Sequence, residues 1–65
     1  MNSTTQPSIT PELLDARQVA QMLSIGRNQV YELAHGGRLP CIRFGSRIRF
    51  PRSAILKWIE QQVQP

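Results

Sequence analysis

The chain has 65 residues, 40% of them hydrophobic, so it can form one small domain around one core. Eight Lys and Arg against four Asp and Glu give a net charge of +4, which favours polyanionic partners. One cysteine, Cys41, excludes an intrachain disulfide and a multi-cysteine zinc site. The single cysteine also fits a reducing compartment, so we expect a cytoplasmic protein. No apolar run reaches membrane-spanning length, so we expect no membrane contact. We also expect no cofactor and no bound metal.

The chain opens on a segment, residues 1–12, that holds two prolines, several Ser and Thr and one isoleucine. That is too little apolar surface to offset the entropy of ordering the segment, so we predict a disordered N-terminal tail. Asp15 and Gln18 then have the spacing of a capping box, and apolar residues follow at helical intervals. A first helix is therefore predicted to begin at Ala16 and to end near Leu23.

A second helix start follows eleven residues after the first, where Gly26 and Gln29 repeat the capping spacing. The second helix is predicted to run from about Arg27 to His35. It is expected to stop at the two glycines that follow, because glycine readily takes the left-handed conformation beyond a helix end. Two short helices joined by a tight turn predict a helix-turn-helix.

The apolar pattern changes from helical to alternating over residues 41–50, CIRFGSRIRF, which predicts a β-hairpin. A two-residue loop would pair Phe44 with Arg47 and would place charged and apolar residues on one face. A three-residue loop would pair Phe44 with Ile48 instead. We predict this second register, although such a loop usually ends on glycine and here ends on Arg47.

In the predicted register the inner face of the hairpin carries four apolar residues: Ile42, Phe44, Ile48 and Phe50. Arg43 and Arg49 are expected on the outer face, and Arg47 is expected at the tip. The hairpin would thus present its charge to solvent and its apolar surface to the core.

A third helix is predicted after the hairpin. Pro51 suits its first turn, and its apolar residues keep helical spacing as far as Val63. Trp58 is predicted to be the largest side chain of the core. Together the elements predict an α+β fold over residues 13–63, a small winged helix-turn-helix with two N-terminal helices, a two-stranded antiparallel hairpin wing and a closing C-terminal helix.

This order of elements resembles the excisionase-type subgroup of MerR-like winged-helix domains. The resemblance covers Leu13 to about Glu60. It is carried by a leucine opening, Val-Tyr in the second helix, Gly-x-Leu-Pro before the wing, Arg-x-Gly in the hairpin and a terminal Trp-Ile. Gly26 departs from the family, which usually has a serine cap there. The resemblance implies that the second helix enters the DNA major groove and that the wing reaches an adjacent minor groove or its phosphates.

The resemblance further implies a recombination directionality factor, a small protein that bends attachment-site DNA and steers an integrase toward excision. No heptad pattern follows Val63, so we expect a monomer in solution that binds cooperatively along direct repeats of double-stranded DNA. The expected protein partner is an integrase or recombinase, and the expected location is the bacterial cytoplasm, with the nucleoid. A small transcriptional regulator of a mobile element is one alternative. A protein-interaction module or inhibitor that docks on an acidic partner is another.

The polar first turn of the second helix offers side chains that can hydrogen-bond base edges, and the predicted major-groove residues are Arg27, Asn28, Gln29 and Tyr31. The wing is expected to meet the minor groove or phosphates through Arg43, Ser46, Arg47 and Arg49. Contacts to the DNA backbone are expected from Arg17, Gln18, Arg52 and Lys57. For the first turn of the second helix and for the wing the alternative is an ordinary solvated face, and Tyr31 is expected either to pack against the wing or to donate its hydroxyl to a phosphate. The His, the Cys and the carboxylates form no nucleophile–base pair or metal cluster by sequence, so we predict no enzymatic activity.

Overall fold

The computed structural model describes residues 12–64, and that part of the chain contains three helices and three strands. In chain order they are β1 (Leu13–Leu14), α1 (Ala16–Leu23), α2 (Arg27–His35), β2 (Ile42–Phe44), β3 (Arg47–Pro51) and α3 (Arg52–Gln62). The strands form one antiparallel sheet in the order β1-β3-β2. The predicted α+β winged helix-turn-helix is confirmed, except that β1 makes the sheet three-stranded. The predicted tail lies outside the described residues apart from Glu12.

α1 begins and ends where the sequence predicts. The Asp15 carboxylate accepts the Gln18 backbone N–H at 2.8 Å, and the Gln18 side-chain oxygen accepts the Asp15 N–H at 2.9 Å, so the capping box is complete. Ser24 ends the helix in the left-handed conformation, with a φ of 57°. The N–H groups of Ser24 and Ile25 bond back to carbonyls of the helix, which pairs groups that a helix end otherwise leaves unsatisfied.

α2 is preceded by its N-cap, Gly26, whose N–H donates to the Gln29 side-chain oxygen at 3.2 Å. Glycine has no side chain to accept the Gln29 backbone N–H, so only one of the two hydrogen bonds of a capping box forms. At the other end Gly37 has a φ of 72°, and the Arg38 N–H donates to the Leu33 carbonyl at 2.9 Å. These are the features of a Schellman motif. Both predicted ends of α2 are confirmed.

The predicted register of the wing is wrong. β2 and β3 pair Phe44 with Arg47 across a two-residue turn. Gly45 takes a φ of 61° at the first central position of that turn, which is where a type II′ turn requires glycine. A three-residue loop would have required the left-handed conformation at Arg47, which costs a side-chain-bearing residue more than it costs glycine. The tip is therefore Gly45 and Ser46, and the expectation of Arg47 at the tip is also wrong.

The register decides which side chains share a face, because directly opposed residues of antiparallel strands lie on the same side of a sheet. The outer wing face carries two apolar residues and two arginines: Ile42, Phe44, Arg47 and Arg49. Arg43 lies opposite Ile48 on the inner face, which also carries the buried Phe50. The prediction of four apolar residues inside and Arg43 outside is therefore wrong.

The core lies where α1, α2, β3 and α3 meet, and its largest fully buried side chains are Phe50, Ile55, Val19 and Val30. Trp58 is half-buried against this cluster, so the prediction that it is the largest core side chain is wrong. Its indole N–H donates to the Arg38 carbonyl at 2.6 Å, and this bond holds the polar edge of the ring where it has a partner. Pro51 is the last residue of β3 and the cap of α3, one position before the predicted first turn.

Candidate nucleic-acid interface

α2 exposes a polar side because its apolar residues are held in the core. Val30 and Ala34 are buried, whereas Arg27, Asn28 and Tyr31 are exposed. Arg27 and Tyr31 are four residues apart and therefore neighbours on the helix surface. The exposed side of the second helix in a helix-turn-helix is the part that reaches base edges in the major groove.

A polar cleft of about 280 Å³ lies between the starts of α1 and α2. Arg17 of α1 and Arg27 and Tyr31 of α2 line it, together with Asp15 and Ala16. Two guanidiniums and one phenol thus converge on one space, and all three can donate hydrogen bonds. Arginine matches the geometry of phosphate as well as that of carboxylate, so the cleft can hold a phosphate. The structure therefore brings two predicted major-groove residues together with one that was predicted for the DNA backbone.

Two predicted DNA-contacting residues also have structural roles. The side-chain oxygen of Gln18 caps α1, and that of Gln29 caps α2. Gln18 is half-buried, and Gln29 lines a groove that Arg27 and Tyr31 do not reach. Capping takes one of the two lone pairs of each oxygen and orients the side chain along its helix, which leaves the amide NH₂ group and one lone pair to contact DNA.

The wing arginines are divided between its two faces. Arg47 and Arg49 lie on the outer wing face, Arg43 lies on the inner one and is exposed, and Ser46 is exposed in the turn. Arg49 is half-buried, and its Nη1 donates to the neighbouring Ile48 carbonyl at 2.8 Å. The hairpin is therefore basic on both sides, with the Arg49 guanidinium held close to the strand.

The two predicted residues of the third helix lie apart from the cleft. Arg52 is half-buried at the start of α3, and its backbone N–H donates to the Glu12 carbonyl at 2.8 Å. Lys57 is exposed farther along the helix. Neither residue lines the cleft. Any DNA contact that they make would extend the surface instead of completing the cleft.

Some residues of this surface were not anticipated from the sequence. Ile42 and Phe44 lie exposed beside the wing arginines, and the Gly-Ser pair of a two-residue turn is the signal that could have placed them there. Glu32 and His35 are exposed on α2, four and seven residues after Asn28. This helical spacing puts them on the same side as Asn28 and could also have been recognised.

An apolar groove of about 530 Å³ lies between the end of α1, α2 and α3, and its apolar lining is Leu23, Ile25, Leu33, Trp58 and Ile59. Its chemistry therefore differs from that of the arginine-lined cleft. Within residues 12–64, no three His, Cys, Asp or Glu side chains are grouped so as to hold a metal ion. None of the helices described is long and apolar enough to span a membrane.

Two comparisons with known proteins identify the family of the chain. Residues 13–63, from β1 to just beyond α3, match the family described as a helix-turn-helix domain. The chain is 36% identical over 56 residues to a Streptomyces ambofaciens protein named an excisionase, and the match covers 86% of this chain and 90% of that relative. No solved structure is significantly similar to the chain. The chain therefore belongs to the helix-turn-helix domain family, and within it to the excisionase type.

Proposed function

We propose that this excisionase-type DNA-binding domain bends attachment-site DNA and directs an integrase toward excision. The observation that carries the proposal is the distribution of arginines. Arg17 and Arg27 line one cleft at the helix-turn-helix, and Arg47 and Arg49 share one face of the wing. Similarity to the excisionase of Streptomyces ambofaciens supports the recombination role.

In the proposed complex α2 lies in the major groove, with Arg27 and Asn28 at base edges. Tyr31 and Arg17 bind a phosphate in the polar cleft, which fixes the register of α2 without reading sequence. The wing meets the adjacent minor groove or its phosphates through Arg43, Ser46, Arg47 and Arg49. Weaker contacts to the backbone come from the remaining candidates, Gln18, Arg52 and Lys57, and Gln29 contacts a base mainly through its amide NH₂ group.

The proposed mode of action is binding and deformation of DNA, without catalysis. One module of this kind buries about 600 to 1,000 Å² on DNA, so an isolated copy is expected to bind modestly. We propose that the protein is monomeric in solution and that copies bind cooperatively to direct repeats on the nucleoid. Their small bends would add up to the curvature of a recombination complex. The integrase is the proposed protein partner, and the MerR-like relationship stays a prediction.

An excision assay with the integrase of the same mobile element tests the recombination role. The wild-type protein should raise the yield of excised product, and Arg27→Ala should lower that yield. Glu60→Gln changes an exposed charge on α3 and serves as the matched control, which should behave as wild type. A protein that binds the attachment region and alters transcription, but leaves excision unchanged, would contradict the proposal and favour the transcriptional alternative.

The salt dependence of binding separates DNA recognition from docking on an acidic protein. If the arginine surface neutralises about five phosphates, log affinity plotted against log salt should have a slope near −4.5, because each phosphate releases condensed counterions. Duplex titrations at several salt concentrations measure this slope. A shallow slope, with tighter binding to an acidic protein, would contradict DNA binding as the main role.

A further inference from the structure

The outer wing face holds two large apolar side chains in solvent. Ile42 is 40% exposed and Phe44 is 51% exposed. Ile42 lies directly opposite Arg49, and Phe44 lies directly opposite Arg47. Directly opposed side chains have Cβ atoms about 4.5 to 5.5 Å apart. The face is therefore a small patch in which apolar and cationic groups adjoin.

The fold does not explain why these two positions are apolar. Neither Ile42 nor Phe44 belongs to the buried core or to the partly buried apolar residues that pack against it. Single exposed apolar residues are ordinary, but neighbouring ones on one face commonly mark a contact surface. The arginines opposite them narrow the choice of partner, because they favour a polyanion that also offers apolar surface.

A wall of a DNA groove combines these two kinds of surface. Its phosphates pair with guanidinium groups, and the deoxyribose rings between the phosphates present C–H groups to apolar side chains. Arg47 and Arg49 are two residues apart on β3, a separation of roughly 7 Å. Two long arginine side chains with this backbone spacing on one face can reach different phosphates of one groove wall.

We propose that Ile42 and Phe44 pack against deoxyribose rings of the minor groove while Arg47 and Arg49 pair with the flanking phosphates. This inference rests on the proposed DNA binding and adds an apolar contact to it. The hydrogen bond from Arg49 to the Ile48 carbonyl, at 2.8 Å, holds that guanidinium close to β3. Arg47, exposed next to the turn, has the longer reach.

The exposure of Phe44 indicates how deep the contact goes. About half of the residue's surface is already covered by the protein, which favours a ring laid against the groove wall over a ring inserted between base pairs. A wedge that enters a base step would unstack the DNA. The contact proposed here leaves base stacking intact. The fluorescence of 2-aminopurine placed in the contacted step should therefore not rise when the protein binds.

Substitution of Phe44 tests the contact against a matched control. Phe44→Thr keeps β propensity and should weaken duplex binding about five- to ten-fold, because the apolar area that it would bury is lost. Its log–log salt slope should equal that of wild type. Arg47→Ala should instead reduce the magnitude of the slope by about 0.9. Leu56→Gln removes a leucine of α3 that is 41% exposed and should bind as wild type does.

Two further measurements assign the contact. With the minor groove occupied by netropsin, wild type and Phe44→Thr should bind equally, because the site of the apolar contact is filled. Phe44→Leu should retain most of the affinity, since it keeps an apolar side chain. Thermal melting followed by circular dichroism should show that each variant folds.

Several results would overturn the inference. One is wild-type affinity for Phe44→Thr on a duplex that wild type binds with steep salt dependence, which would leave the proposed function standing. Another is a loss that appears only when two copies bind adjacent sites, which would assign the patch to contact between copies. A rise in 2-aminopurine fluorescence would mean insertion between bases. Failure of the wild-type protein itself to bind duplex DNA would contradict the proposed function first.

Discussion

The helix pair and the wing differ in whether their apolar side chains are buried or exposed. α1 and α2 bury Val19, Val30 and Ala34 and leave their polar residues outside. In the wing only β3 contributes a fully buried side chain, Phe50, while β2 leaves Ile42 and Phe44 exposed. Stability therefore resides in the helices and β3, whereas β2 is an edge strand whose side chains are available for binding.

The largest expected effect is on the free energy of unfolding, and it distinguishes the two phenylalanines of the wing. Phe50→Ala should cost about 3 to 5 kcal/mol of unfolding free energy, because it leaves a cavity in the core. A domain of this size has roughly 3 to 10 kcal/mol in total, so much of the protein would unfold. Phe44→Ala should cost less than about 1 kcal/mol, since the residue is 51% exposed. Urea denaturation measures both, and Ile55→Val, at about 0.5 to 1.5 kcal/mol, provides a milder core variant. Equal losses for the two phenylalanines would contradict the register of the wing.

A smaller effect distinguishes residues that contact bases from residues that contact phosphates. Asn28→Ala should cost about 1 to 3 kcal/mol on the specific site and much less on random duplex, because it removes contacts to bases. Arg43→Ala or Arg49→Ala should weaken binding to both duplexes by similar factors, because phosphates carry no sequence information. Fluorescence anisotropy with both duplexes measures the difference, and Gln61→Ala on the exposed side of α3 is the control. Equal losses on both duplexes for Asn28→Ala would remove base reading from this residue.

Ser24 offers a stabilising change in the helix pair. Its φ of 57° costs a residue with a Cβ about 1 to 2 kcal/mol, against about 0.5 to 1 kcal/mol of extra chain entropy for glycine. Ser24→Gly should therefore stabilise the protein by about 0.5 to 1 kcal/mol in thermal or urea unfolding. Ser53→Gly, in the first turn of α3, should instead destabilise it by a few tenths of a kcal/mol. A loss of stability in Ser24→Gly would contradict the strain assigned to this turn.

The smallest effect concerns the cap of α2. A Cβ at Gly26 would meet no atom within 4 Å, so Gly26→Ser fits without strain and supplies the missing capping oxygen. It should add a few tenths of a kcal/mol to the unfolding free energy, whereas Gly26→Ala should add nothing through capping. The two variants differ by one hydroxyl group. An equal gain in both would show that the gain does not come from capping.

The ends of α1 and α2 could be predicted because local bonds determine them. Asp15 and Gln18 satisfy each other across three residues, and Gly37 permits the turn that ends α2. Such signals are contained within a few neighbouring positions. The strand β1 has no comparable signal, since two residues, Leu13 and Leu14, are too few to show a period.

The register of the wing depends on a competition that its sequence leaves open. Burial of all four apolar residues favours one register, and the positive φ available at Gly45 favours the other. Leu14 pairs with Phe50, so contact with the core fixes only the inner end of β3. The register between β2 and β3 is left to the turn. Trp58 is a similar case, since its position depends on a carbonyl twenty residues away, that of Arg38.

The candidate site was predictable as a set of residue types but not as an arrangement. Arginine, asparagine and tyrosine at the start of α2 indicate contact with nucleic acid. That Arg17 and Arg27 would share one cleft depends on how α1 and α2 pack. The capping roles of Gln18 and Gln29 were visible as spacing, but the sequence does not show how far capping restricts the contacts of these side chains with DNA.

Hydroxyl-radical footprinting of one protein copy on its site tests most directly whether α2 and the wing bind adjacent grooves of one duplex. The wild-type protein should protect two neighbouring patches of backbone, one at each groove. Arg47→Ala should weaken the protection of the patch assigned to the wing and leave the patch assigned to α2 unchanged. A single protected patch in the wild-type complex, or loss of both patches together in Arg47→Ala, would contradict this division of the interface.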